Sequence, residues 1–145
     1  KMQESYVSRL VDLYAIAAIV GLKIGRQLKD DTTGENKRTI QLAQLTGMCQ
    51  TLVPIMKLIM MLDTSRGLSE EERIRSAFNV PKTREEYNAG MELFNSYARA
   101  GIEYMYQQLV TRISDDEDDD FGDARINNIV AFLKNPMNVN DVSQF

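Results

Sequence analysis

An all-α single domain, a bundle of about five helices with an acidic linker before the last short one, is the fold this sequence predicts. Three observations carry that reading. Apolar residues recur at i, i+3, i+4 and i+7 over several long stretches, and no period-two strand pattern of useful length interrupts them. Two capping boxes, Ser69-Glu70-Glu71-Glu72 and Thr83-Arg84-Glu85-Glu86, mark helix starts. A length of 145 residues fits one domain that buries roughly two thirds of its unfolded surface, so neither disulfide nor metal is needed to hold it.

Taken in order, the first helix spans Tyr6 to about Lys23 and is apolar almost all round through Leu10, Val11, Leu13, Tyr14, Ile16 and Ala17-Ala18-Ile19-Val20, which suits a central position. Gly21 and Gly25 loosen its end. A polar stretch from Lys23 to Arg38, containing Asp30-Asp31-Thr32-Thr33-Gly34, reads as a loop. The second helix runs from about Ile40 to Leu62 and should kink at Pro54. Its one cysteine, Cys49, is expected to be a buried small hydrophobe. A short third helix runs from Ser69 to about Phe78, and Pro81 separates it from the long fourth. Ile126, Ile129, Val130 and Leu133 mark the last helix. We expect one helical domain over 1–134, with the linker 115–123 inside it, and an Asn-rich flexible tail over 135–145.

The fourth helix has an apolar surface wider than one contact requires. A main stripe comprises Tyr87, Met91, Phe94, Ala98, Ile102, Met105 and Leu109, and a second line includes Leu93, Tyr97, Ala100 and Tyr104. The narrow polar strip holds an i,i+4 pair, Arg99 with Glu103. Such a helix is wedged between neighbours. Either all of them belong to this chain, or Leu93, Tyr97, Ala100 and Tyr104 form a partner interface with tyrosine anchors.

Composition narrows the chemistry. The chain has no histidine, so imidazole bases, catalytic triads and most zinc sites are absent, and there is no phosphate-cradling Gly-rich loop and no Gly-x-Ser-x-Gly elbow. We expect no enzyme activity, no catalytic residues, no cofactor and no metal. Asp115-Asp116-Glu117-Asp118-Asp119-Asp120 fails the calcium-loop register: with Gly122 at the sixth position, Asn128 falls where the bidentate Glu belongs. The run reads as a solvated linker, or as a docking element for a basic partner. Without the seven acids between 115 and 123, 14 acids face 17 bases, a body charge of about +3. Lys23, Arg26, Lys29, Lys37 and Arg38 crowd the first helix's exit as a candidate nucleic-acid or partner contact, diluted by Asp30, Asp31 and Glu35. No base-reading recognition helix stands out, so DNA contact should be weak or indirect. Met56, Met60 and Met61 are either core filler or an adaptable surface. A lone cysteine, the lack of a signal-peptide pattern and apolar runs too short for a membrane span favour a soluble cytoplasmic protein.

Read together, Ala17-Ala18-Ile19-Val20-Gly21-Leu22-Lys23, Arg26, Ile40-Gln41-Leu42, the Leu52 to Leu62 helix and Glu92-Leu93-Phe94-Asn95-Ser96-Tyr97-Ala98-Arg99-Ala100-Gly101-Ile102-Glu103-Tyr104 resemble the small helical protein family associated with DNA phosphorothioation (Dnd-type) gene cassettes. The likeness covers most of residues 10–110, with departures at Arg99 and Ala100. It implies a non-catalytic accessory or bridging subunit of a prokaryotic anti-phage or anti-plasmid defence complex. The implied partners are larger subunits: SMC-type ATPases, nucleases or DNA-modification enzymes. The alternative is a small DNA-binding regulator of a defence operon that uses the basic loop 23–38.

Overall fold

The computed structural model describes residues 9–30, 47–111 and 124–134. Five helices make up the described chain: α1 (Leu10–Ile24), α2 (Cys49–Leu62), α3 (Glu70–Phe78), α4 (Arg84–Tyr106) and α5 (Ala124–Lys134), with a π-helical turn, Gln107–Thr111, extending α4. The protein is all-α. The start of the expected first helix, residues 40–46 of the expected second, the acidic linker 115–123 and the tail 135–145 lie outside the described residues.

Local chemistry sets the boundaries. Gly25 closes α1 in the left-handed conformation, at φ 66°, which glycine adopts without a Cβ penalty. Ser69 and Glu72 form a reciprocal capping box at α3: the Ser69 hydroxyl accepts from the Glu72 N–H at 3.3 Å, and the Glu72 carboxylate accepts from the Ser69 N–H at 2.8 Å. At α4 the box is offset by one residue. The Thr83 hydroxyl accepts from the Glu86 N–H, but the Glu86 carboxylate reaches the Lys82 N–H at 2.7 Å. Helix α2 passes through Pro54, its sixth residue, beyond the first four whose N–H groups lack helical partners, so one i→i−4 hydrogen bond is missing there.

The broad surface of α4 is divided between two core clusters. On one side Ala18 of α1 and Ile59 of α2 close over Leu93, Phe94, Tyr97 and Ala98. On the other, Ala17, Val20 and Ile24 of α1 meet Tyr104 and Met105, with Phe132 of α5 against them. Both flanks of α1 are therefore used, but Leu10, Ile16 and Ile19 on its remaining side are exposed, so the helix is not covered all round as its apolar content suggested.

Two glycines set how closely α1 and α4 approach. A Cβ on Gly101 would stand 1.8 Å from the Ala17 carbonyl oxygen, and one on Gly21 would stand 1.9 Å from that of Tyr97. The contact is reciprocal and backbone to backbone. This corrects the reading of Gly21 as a loosener of the helix end: it is buried inside α1 and admits the neighbouring helix.

The fold corrects three further expectations. Leu93, Tyr97, Ala100 and Tyr104 are buried against this chain's own α1, α2 and α5, so they are core and not a partner interface. The apolar width of α4 is consumed internally. Arg99 does not pair with Glu103; it bridges to Glu92 at 2.8 Å and stands 3.7 Å from Asp30, while Glu103 takes Arg26 at 3.3 Å. The segment following α1 turns back along α4, bringing Arg26 to Glu103 and Asp30 to Arg99. Cys49 is exposed, because it opens α2 where the helix has not yet reached the core.

Candidate functional site

Asp63, immediately after α2, is 1% exposed and carries the densest polar network in the described structure. Its Oδ1 accepts from the Ser65 hydroxyl at 2.6 Å, the Tyr97 hydroxyl at 2.7 Å, the Ser65 N–H at 3.2 Å and the Gln27 amide at 3.3 Å. Its Oδ2 accepts from Arg66 Nε at 2.8 Å. Gln27 also donates to Ser65 Oγ and accepts from the Ser96 hydroxyl. One carboxylate thus fastens the exit of α1, the α2–α3 loop and the middle of α4. Burial alone would push the Asp63 carboxyl up, but the hydrogen bonds from Ser65, Tyr97 and Arg66 outweigh it and hold the group below the usual carboxylate range. Both carboxylate oxygens are engaged, so the arrangement positions chain segments, and the depressed pKa keeps the group ionised at neutral pH.

The partners respond in the opposite direction. Burial, then the hydrogen bond to Asp63, pushes the Tyr97 phenol up to about 12, and burial does the same to Tyr14, whose hydroxyl donates to Asn95 Oδ1. An acid with a raised folded pKa stabilises the fold fully below its unfolded value, about 10, and loses that contribution as pH rises toward the folded value. In a spectrophotometric titration of the native protein, Tyr14 and Tyr97 should ionise well above the ordinary phenol value of about 10, and unfolding should accompany them. A single transition for all six tyrosines near pH 10 would contradict this burial.

The second feature is a groove of about 200 Å³ between α2, the end of α3 and the start of α4. It is lined by Val53, Met56 and Met60 of α2, by Phe78, Val80 and Pro81 at and after the end of α3, and by Tyr87 and Gly90 of α4. Pro81 disfavours helix at the residue before it, so α3 stops and Val80 projects from the connection. Val80 is 82% exposed, Phe78 59% and Tyr87 54%, so large apolar side chains stand exposed around the groove. The Lys57 ammonium lies 5.2 Å above the Phe78 ring. Met56 and Met60, readable from the sequence as core filler or as an adaptable surface, pack against the first core cluster and also line the groove. Phe78 and Val80 escaped the sequence reading, although a large apolar pair flanking Asn79 ahead of a proline was the available signal.

The sequence-proposed basic contact is only partly gathered. Lys23 and Lys29 are exposed, Arg26 is turned onto Glu103, and Lys37 and Arg38 lie outside the described residues. Among the described residues no three His, Cys, Asp or Glu side chains stand together to hold a metal ion. No described helix is long and apolar enough to cross a membrane. Comparison with protein-family models, with curated proteins and with solved structures finds no match to this chain.

Proposed function

We propose that this chain is a non-catalytic accessory subunit that docks onto larger protein partners. The observation that carries the reading is the open apolar groove with Phe78, Val80 and Tyr87 exposed at its rim. Aromatic and methionine side chains around a desolvatable pocket are what protein interfaces concentrate at their centres. The resemblance of the 17–23 and 92–104 blocks to the Dnd-associated family supports a cytoplasmic prokaryotic DNA-defence complex as the setting, with SMC-type ATPases, nucleases or modification enzymes as partners. The regulator alternative is disfavoured, since Arg26 already has an acid partner and the loop's bases are diluted by acids. DNA contact by this subunit is weak or indirect.

Co-purification from the native host tests the reading. A larger ATPase, nuclease or DNA-modification subunit should elute with the wild-type chain and be lost with the double variant Phe78→Asp, Val80→Asp. Both side chains are exposed, so the variant should melt near the wild-type temperature. Elution of the wild type alone, or retention of that subunit by the double variant, would overturn the proposal.

A further inference from the structure

Helix α5 is set against the bundle the wrong way round for a helix of its composition. At about 100° per residue, Ile126, Val130 and Leu133 fall within about 60° of its circumference, while Asn128 lies opposite. A short helix of a globular chain normally turns such a stripe to the core. Here the inward side is the polar one: Asn128 is 5% exposed and its amide donates to the Leu109 carbonyl, with Phe132, one turn on, against the Tyr104 ring. The stripe faces solvent, with Ile126 59% exposed, Val130 40% and Leu133 77%. At the end of α4 and on the π-helical turn against which α5 packs, Tyr106 and Val110 are exposed as well.

Spacing and charge describe the complement of this stripe. Ile126 and Leu133 stand four and three residues from Val130, so the stripe reads nearly the same in both directions. A second copy laid antiparallel across it sets Val130 on a twofold axis and Ile126 against Leu133 of the other chain, the self-complementary arrangement of most homodimers. Charge selects that direction. Residues 115–125, which lead into α5, hold seven acids and one base, and Lys134 stands exposed at the other end of the helix. Antiparallel copies bring Lys134 of each toward the acidic lead of the other, whereas parallel copies would bring the two acidic leads together. A lipid surface fits the same helix poorly, since membrane-surface helices carry a face rich in Lys and Arg opposite the apolar one and α5 has asparagine there.

We propose that the outer stripe of α5 pairs antiparallel with the same stripe of a second copy, making a weak twofold dimer. Three anchoring side chains a copy are far fewer than the roughly 20 to 30 residues a side of a standard interface, so the pair forms at high concentration. The stripe shares no residue with the groove between α2, α3 and α4, so the pairing goes beyond the accessory-subunit reading and does not depend on it.

In sedimentation velocity of the intact chain, the average mass should climb from one chain toward two between about 10 μM and about 1 mM, the range of so small an interface. Ile126→Glu and Leu133→Lys should each weaken association about tenfold or more, since each homodimer then carries two mismatches of apolar against charged. Mixing the two variants should recover association, because one contact becomes Glu against Lys and the other is again Ile against Leu. The methyl resonances of Met60 and Met105, at the first and second core clusters, should stay in place and report an intact fold in both variants. The Phe78→Asp, Val80→Asp chain should associate as the wild type does, which separates this outcome from that of the co-purification. A wild type still monomeric at about 1 mM, a single variant that associates undiminished, a mixture no stronger than its components, or a mass passing beyond two chains would overturn the pairing.

Discussion

Replacing Gly101 with alanine should destabilise the protein by about 3 kcal/mol, against a helix propensity that favours the change by about 1 kcal/mol. The added Cβ meets a carbonyl oxygen of α1 at 1.8 Å, and a backbone atom cannot rotate away as a side chain can. The helices must separate, and the dispersion contacts of both core clusters weaken with distance. Gly21→Ala meets the Tyr97 carbonyl in the same manner and should cost a similar amount. The two together should cost less than their sum, because a separation forced by one relieves the other. Gly90→Ala, on the same helix as Gly101, is the control. Its Cβ would lie 3.9 Å from the Met60 sulfur, an ordinary contact, so propensity alone acts and stability should rise by roughly 0.5 to 1 kcal/mol. Urea denaturation of the variants measures all of this, and a Gly101→Ala protein as stable as the wild type would refute the close crossing.

Asp63→Ala should cost about 3 to 5 kcal/mol, the range for removing one member of a buried charged network. The Tyr97 hydroxyl and the Gln27 amide would be left to find other acceptors, and the Arg66 guanidinium would lose its carboxylate. Tyr97→Phe should be milder, about 1 to 2 kcal/mol, since the carboxylate keeps its other donors. The pH dependence follows from the depressed Asp63 pKa. Its contribution is present above the unfolded carboxylate value of about 3.9 and is lost as pH falls through the lower folded value. Urea midpoints measured from about pH 5 down to pH 3 should therefore fall less steeply in Asp63→Asn than in the wild type. Parallel slopes would show that the Asp63 carboxyl titrates alike in the folded and unfolded states, contrary to its depressed pKa.

The helices were legible because their signals are local. Ser69-Glu72, Thr83-Glu86, Pro81 and the 3.6-residue period between Tyr87 and Met105 each act within a few residues of chain, and the structure places α3 and α4 where these cues put them. What the sequence could not convey was which neighbour each face meets. The stripe holding Tyr97 and Tyr104 satisfies an internal core and a partner interface equally well on paper, and only the placement of α1 and α2 decides between them. Arg99 and Glu103 illustrate the same point, as a favourable i,i+4 spacing is worth only about 0.2 to 0.5 kcal/mol and yields to partners elsewhere in the fold. Asp63 went unremarked because a lone acid after a helix looks solvated until Gln27 and Tyr97 converge on it. The candidate groove was half visible in Met56 and Met60 and hidden where it depends on Phe78 and Val80, whose exposure is a property of the connection between α3 and α4.

The crossing of α1 and α4 also bears on how distant kin of this chain would be recognised. Side chains in the two core clusters can exchange volume with one another during divergence, Leu for Met or Ile for Leu, at a cost usually below about 1.5 kcal/mol. Gly21 and Gly101 have no such freedom, because each is spaced by the other helix's main chain, which no substitution elsewhere can reshape. Overall identity would therefore decay well before the pairing of a small residue four positions ahead of a glycine in α1, Ala17 with Gly21, with a glycine four positions after Tyr97 in α4. A pattern built on that spacing, with the acid at the end of α2 added, would retain diagnostic power after residue-by-residue similarity has been lost.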